Sequence, residues 1–77
     1  MTLEELTASV VECALTVVPD VGDYSNDLQY SELDIAEIIL KLELKFGVDI
    51  PDEVLLTSVS INDLVNLVNT EIGENNG

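Results

Sequence analysis

The chain has 77 residues and a formal net charge of −14, because its 16 acidic side chains are balanced only by Lys41 and Lys45. A charge of this size repels the phosphate backbone of nucleic acids and an anionic membrane, so neither is an expected partner. The chain has no histidine and one cysteine, Cys13, which excludes zinc clusters, histidine-based triads and an internal disulfide. A chain this short is expected to form one domain without an enzyme-sized cleft, and so not to be an enzyme.

The acidic balance has two interpretations. A strongly negative small protein associates quickly with proteins that bear basic patches, so the charge favours a protein partner. The same charge also serves solubility alone. The first residues lack a basic leader followed by an apolar stretch, and no apolar run is long enough for a membrane span. We therefore expect a monomer in the reducing cytoplasm, with no membrane insertion.

A first helix is predicted at the start of the chain. Thr2-Leu3-Glu4-Glu5 is a capping box, and apolar residues then recur at helical spacing to about Thr16. Pro19 ends the pattern, and 18–29 has the polar, glycine-containing character of a long loop. Three apolar side chains are available to hold this loop against the core: Val21, Tyr24 and Leu28.

A second and main helix is predicted from Ser31 to Gly47. Ser31 is a suitable N-cap, Asp34 can reach back to it, and Gly47 fits the left-handed residue that ends a helix. The apolar positions form a wide band that we expect to be buried: Leu33, Ile35, Ala36, Ile38, Ile39, Leu40, Leu42, Leu44 and Phe46. The charged residues Asp34, Glu37, Lys41 and Lys45 lie outside this band.

The rest of the chain predicts one short and one longer helix. Pro51 followed by carboxylates is typical of a helix start, with one or two turns through Leu56. Ser60 and Asp63 form another capping pair, and the helix after them is predicted to end near Asn69. The prediction is an all-α domain over 1–72 with a flexible tail over 73–77.

Two local strings resemble the acyl carrier protein family. Residues 37–46 read Glu-Ile-Ile-Leu-Lys-Leu-Glu-Leu-Lys-Phe, similar to the family's Glu-Leu-x-x-x-Leu-Glu-x-x-Phe second helix, and 50–53 read Ile-Pro-Asp-Glu, like the opening of its short third helix. The family pattern fits without a gap from Tyr24, at the position of a loop-anchoring aromatic residue, to Val68. The resemblance implies a small acyl-carrier-type bundle of three longer helices and one short helix, with a long first loop.

The attachment site departs from the family pattern. Family members hold their cargo as a thioester on a 4'-phosphopantetheine arm, joined to the serine of an Asp-Ser-Leu motif. Placed without a gap, Glu32 fills the serine position and Ser31 fills that of the preceding aspartate. A carboxylate cannot replace the hydroxyl nucleophile, so Ser31 is the candidate attachment residue, and 4'-phosphopantetheine is the implied cofactor only if Ser31 is modified.

Three interpretations of Ser31 stay open. It can be an N-cap without further function. It can be offered to the modifying transferase by a one-residue shift of the loop end. It can also mark a protein whose attachment serine was replaced, leaving the chain permanently unmodified. Glu32 has a structural interpretation as a first-turn carboxylate stabilised by the helix dipole.

The resemblance also implies a docking face for basic patches on acyl-synthesising, acyl-transferring or phosphopantetheinyl-transferring enzymes. The positions that match the family's docking carboxylates are Asp34, Glu37, Glu43, Asp52 and Glu53. Each is equally explained as part of a solvated helix face. Lys41, Leu44 and Lys45 depart from the family pattern, where acidic or small residues are usual, and weaken the negative field there.

An attached acyl chain would be expected to enter among five apolar residues that also suit a plain core: Leu33, Ile38, Leu42, Leu55 and Val59. The function implied by the resemblance is a non-enzymatic carrier and docking protein for fatty-acid, polyketide or related acyl-chain biosynthesis or transfer. The alternative is an unmodified interaction or regulatory protein of the same fold.

Overall fold

The computed structural model describes the backbone of residues 1–76 and their side chains except those of Leu56 and 74–76. Its elements are the helices α1 (Leu3–Leu15), α2 (Glu32–Phe46) and α3 (Ile61–Asn76), with a short 3-10 helix (Asp52–Leu56) between α2 and α3. Helix α1 makes its broadest contact with α3, and α2 packs against α1, α3 and the short helix. The predicted all-helical bundle with a long first loop is confirmed.

Helix α1 begins as the capping box predicts. The Thr2 hydroxyl accepts a hydrogen bond from the Glu5 N–H at 3.1 Å, and Glu5 Oε1 accepts one from the Thr2 N–H at 3.2 Å. The helix buries Leu6, Val10 and Ala14 on one face and ends at Leu15 with Thr16 as its C-cap. The predicted limits of this helix are confirmed.

The first loop is held by backbone pairing and by Tyr30 rather than by the Tyr24 ring. The Leu28 N–H donates to the Val59 carbonyl at 2.8 Å, beside an isolated bridge between Asp27 and Ser60. The Tyr30 hydroxyl donates to the Asp20 carbonyl at 2.7 Å, which ties the two ends of the loop together.

The predicted loop anchors Val21 and Leu28 do pack against the core as half-buried side chains. The prediction for Tyr24 was wrong in its mechanism, because its side chain is 42% exposed beside the outer face of α1. Tyr24 contributes through its backbone carbonyl, which accepts the Asn62 N–H at 3.0 Å.

Helix α2 buries a narrower face than the sequence predicted. Four side chains enter the core: Ile35, Ile38, Ile39 and Leu42. Leu33, Leu40 and Leu44 are 82%, 54% and 77% exposed, so their predicted burial was wrong. A helix packed against neighbours on one side buries only the residues that turn toward them, and these three leucines turn the other way. Gly47 ends the helix at φ +66°, as predicted.

The last two elements follow the predicted starts. The short helix follows Pro51. Ser60 and Asp63 form a reciprocal box: the Asp63 N–H donates to Ser60 Oγ at 3.1 Å, and the Ser60 N–H donates to Asp63 Oδ2 at 3.0 Å.

Helix α3 is longer than predicted, because it continues to Asn76 instead of ending near Asn69. Ile72 packs against the core beyond that point, and such a contact favours continuing the helix. Gly77 lies outside the described residues, so the 1–72 and 73–77 division stays a prediction.

Candidate functional site

Ser31 lies at the start of α2 as its N-cap, with an exposed side chain. Its Oγ accepts a hydrogen bond from the Asp34 N–H at 3.2 Å, and its carbonyl accepts the Ile35 N–H at 3.1 Å. This is one half of the predicted cap; the reach of the Asp34 carboxylate back to Ser31 is not among the bonds that the structure shows. A serine hydroxyl that accepts a hydrogen bond in this way still has a proton to donate. The exposed Ser31 hydroxyl can therefore still act as a nucleophile.

Glu32, which fills the family's serine position, is the first residue of α2 and is exposed. It lines a shallow depression together with Asp52, Glu53 and Leu55 of the short helix. We call Glu32, Asp52 and Glu53 the acidic corner. Glu32 is twenty residues or more from Asp52 and Glu53 in the sequence, and the packing of the short helix against α2 brings it to the same place. Their shared negative charge can attract a basic partner surface.

A groove of about 270 Å³ opens beside Ser31. Its lining includes Tyr30 and Glu32, the residues directly before and after Ser31 in the sequence. The full lining is Leu28, Tyr30, Glu32, Ile35, Leu55, Thr57, Ser58 and Val59. A larger groove of about 450 Å³ lies between α3 and the segment 57–59, but neither Ser31 nor its neighbours line it. The smaller groove is the one that both sequence neighbours of Ser31 line.

The structure brings only two of the five expected acyl-chain contacts into this groove, Leu55 and Val59. Ile38 and Leu42 are fully buried core residues, which agrees with the plain-core alternative. Leu33 is 82% exposed on the opposite side of α2, so neither expectation holds for that residue. Sequence reasoning missed Leu28, Tyr30 and Ile35 as lining residues. The signal was present in Leu28 and Tyr30, which are apolar or aromatic residues in an otherwise polar loop directly before Ser31.

The five expected docking carboxylates are not equivalent. Glu37, Asp52 and Glu53 are exposed, and Asp34 is half-buried. Glu43 is half-buried as well, and its Oε2 accepts the Ile50 N–H at 3.0 Å. Glu43 therefore has a structural role that the sequence did not indicate, while the other four line the first half of α2 and the acidic corner.

Sequence reasoning also missed an exposed row of leucines on α2, formed by Leu33, Leu40 and Leu44. Their spacing of seven and four residues places them on one helix face, a pattern that predicts a buried face equally well. Spacing alone could not separate this row from the buried one, because both rows repeat with the same period.

Comparison with known proteins decides the family. The model of the family described as "Phosphopantetheine attachment site" matches residues 2–68, which is most of the chain. This chain belongs to the acyl carrier protein family. The acyl carrier protein of Helicobacter pylori is 38% identical over 55 residues, which cover 71% of this chain and 69% of the relative.

Two further relatives extend the match along the chain. The acyl carrier protein of Campylobacter hominis is 38% identical over 69 residues, covering 84% of this chain and 86% of the relative. That of Chloroherpeton thalassium is 29% identical over 75 residues, covering 88% and 94%. No solved structure matches the chain at a comparable level of significance. The expectation of an acyl carrier that is not an enzyme is confirmed by this membership.

The family assignment identifies the prosthetic group but does not identify the residue that carries it. The prosthetic group of the family is 4'-phosphopantetheine. In this acyl carrier chain the α2 start supplies one exposed hydroxyl, Ser31, next to a carboxylate, Glu32. The family's general partners are acyl-handling enzymes. Among the described residues, none of the helices has the length and apolar character needed to cross a bilayer.

Proposed function

We propose that this protein is an acyl carrier that takes a 4'-phosphopantetheine arm on Ser31 and presents the start of α2 to acyl-handling enzymes. The observation that supports the proposal is the place of Ser31: an exposed hydroxyl at the N-cap of α2, between two residues that line the 270 Å³ groove. A groove that begins next to the point of attachment can shelter part of the arm.

The start of α2 favours a phosphate-linked arm on Ser31, but the neighbouring carboxylate of Glu32 disfavours it. The start of a helix favours a phosphate group, because its backbone N–H groups and dipole attract negative charge. The carboxylate of Glu32 opposes it by like-charge repulsion, although the exposed position reduces this repulsion through solvent screening. The arm itself supplies the thiol that holds an acyl group as a thioester.

The attachment reaction needs one nucleophile from this chain and a donor, coenzyme A, held by a transferase. Ser31 Oγ forms the new bond to the phosphorus of the phosphopantetheine part, and the phosphorus–oxygen bond to the nucleotide part breaks. The Ser31 proton passes to a base on the transferase. Glu37 and the acidic corner are exposed, so these carboxylates can attract basic side chains of the transferase.

The proposed setting is a monomer in the cytoplasm that meets basic patches of acyl-synthesising, acyl-transferring and phosphopantetheinyl-transferring enzymes. The large negative charge supports the monomer, since two copies repel each other. Cys13, a buried free thiol, is compatible with a reducing compartment.

A second candidate function is an unmodified interaction or regulatory protein that keeps the same docking face. Two observations favour it: Glu32 fills the serine position of the family, and Ser31 Oγ is already engaged as the helix cap. In this case the start of α2 would bind enzymes of acyl metabolism without delivering cargo.

Intact mass after incubation with coenzyme A and a broad-specificity phosphopantetheinyl transferase tests the proposal. The wild-type chain should gain the mass of one arm, and Ser31→Ala should gain none while keeping its helical circular dichroism. A positive control is the double variant Ser31→Asp with Glu32→Ser, which restores the family's Asp-Ser-Leu order. If the double variant is modified and the wild type is not, the carrier proposal is wrong and the unmodified function replaces it.

A further inference from the structure

The outer face of α2 presents a row of leucines to solvent. Leu33, Leu40 and Leu44 lie within about 40° of one another around the helix axis, and the row is about 16 Å long. Leu33 and Leu44, its two ends, are 82% and 77% exposed. Glu37 lies between Leu33 and Leu40 on this face. Three exposed leucines on one face of a small, strongly charged protein are typical of an interaction surface.

On one side of this row the charges change sign along the helix, whereas the other side carries Glu32 and Glu43. Asp34 and Glu37 accompany its first half, and Lys41 and Lys45 accompany its second half. The two lysines are the only basic side chains of the chain, so its whole complement of basic side chains is placed at one end of one helix face. The helix dipole accounts for Lys45, which lies in the last turn, but it does not account for Lys41 one turn earlier.

We propose that this face docks a partner protein whose own surface changes sign in the opposite order. The partner would offer an apolar groove to the leucine row, basic side chains to Asp34 and Glu37, and acidic side chains to Lys41 and Lys45. The inference rests on the proposed function, because it takes α2 as the docking helix. It goes further by assigning the second half of α2 to an acidic surface.

Selectivity follows from the same arrangement. A uniformly basic patch complements the first half of α2 but meets Lys41 and Lys45 with like charge, and like-charge contacts disfavour a wrong partner. The two lysines thus direct the protein away from enzymes that recognise an all-acidic helix and toward a partner with a mixed surface.

Two synthetic amphipathic helices of identical composition test the charge order. Both have the same leucine face and equal numbers of lysine and glutamate; one has the lysines in one half and the glutamates in the other, and the second has them interspersed. Titration followed by NMR of the ¹⁵N-labelled protein should shift the amides of 33–45. The segregated helix should bind more tightly than the interspersed one by about two- to tenfold, the range for a few exposed charge contacts.

Variants with the same change in net charge distinguish the local effect of the two lysines from the effect of the protein's overall negative charge. Lys41→Gln with Lys45→Gln should abolish the preference for the segregated helix. Asn66→Glu with Asn69→Glu, at exposed positions on α3, makes the chain equally more negative and should leave the preference intact. Leu44→Ala should weaken both helices, whereas Leu3→Ala, at a 60% exposed position outside the row, should weaken neither.

Equal binding of the two helices, or amide shifts centred outside α2, would overturn the inference. The result is independent of arm attachment, because the titration uses the unmodified chain and its readout is the shift of the α2 amides. A chain that fails to accept the arm but prefers the segregated helix would retain this docking surface and lose the carrier role. A chain that accepts the arm without that preference would retain the carrier role alone.

Discussion

The side chain of Glu43 binds the backbone of Ile50 across the turn that ends α2, with 3.0 Å between Oε2 and the Ile50 nitrogen. Ile50 is a buried core residue, so its N–H needs a partner within the protein. Glu43 supplies that partner and joins the end of α2 to the segment that leads into the short helix. A residue that the family pattern assigns to docking is thus also part of the fold.

Replacing Glu43 should separate its structural and electrostatic roles. Glu43→Ala leaves the Ile50 N–H without its acceptor and should lower the free energy of unfolding by about 1–3 kcal/mol. Glu43→Gln retains an acceptor oxygen and should cost less. Urea unfolding checks this, with the exposed Glu37→Ala as the control that should change stability by about 0.5 kcal/mol or less. Equal losses in Glu43→Ala and Glu37→Ala would contradict the structural role.

The hydroxyl of Tyr30 should stabilise the first loop. Tyr30→Phe removes the donor to the Asp20 carbonyl and should cost about 0.5–1.5 kcal/mol. It should also speed amide hydrogen exchange in 20–30. Tyr24→Phe, at a side chain that is 42% exposed, is the matched control and should have little effect. A larger loss for Tyr24→Phe than for Tyr30→Phe would contradict the anchoring role of the Tyr30 hydroxyl.

Two glycines should respond to alanine with opposite signs. Gly47 has φ +66° and open space around a Cβ, so Gly47→Ala costs backbone strain alone, about 1–2 kcal/mol. Gly73 lies inside α3, also with open space around a Cβ, so Gly73→Ala should stabilise by up to about 1 kcal/mol. Thermal unfolding measured on both variants checks the pair. A stabilising Gly47→Ala would contradict the left-handed helix end.

The cap of α3 should matter more than the cap of α2. Ser60 is buried and takes part in a reciprocal pair with Asp63, whereas the Ser31 side chain is exposed. Ser60→Ala should therefore cost about 2 kcal/mol, the upper end for a lost N-cap, and Ser31→Ala about 1 kcal/mol or less. Denaturant midpoints of the two variants give the comparison, and they also show that Ser31→Ala remains folded for the mass experiment.

The stability contributed by Asp23 should depend on pH. The hydroxyl and the N–H of Ser25 donate to its carboxylate at 2.6 and 2.8 Å, and these bonds lower the pKa of Asp23 in the folded state. A lowered carboxylate pKa gives stability that is present above the unfolded-state value and is lost as pH falls through the folded-state value.

The difference in unfolding free energy between the wild type and Asp23→Asn should accordingly be larger at neutral pH than at acidic pH. Equilibrium unfolding at a series of pH values gives this difference. Ser25→Ala removes the hydroxyl donor and should reduce the pH-dependent part. A difference that grows as the pH falls would show that the Ser25 bonds do not favour the charged carboxylate.

Local interactions explain why the helix starts could be predicted. Each cap joins residues three positions apart, as between Ser60 and Asp63 or between Thr2 and Glu5, so its signal is complete within four residues of sequence. The left-handed glycine at the end of α2 is equally local. For the same reason the displacement of Ser31 from the serine position could be read directly from the chain.

The sequence by itself determined the helical starts, the acidic charge, the family and the unusual attachment site, because each depends on neighbouring residues or on composition. Tertiary structure decided which side of α2 is buried, which of Tyr24 and Tyr30 anchors the loop, and where α3 ends. It also decided that Glu43 is bound to Ile50 and that Glu32 lines the same depression as Asp52. These features depend on contacts between distant parts of the chain, and an apolar repeat has the same period whether it faces the core or a partner.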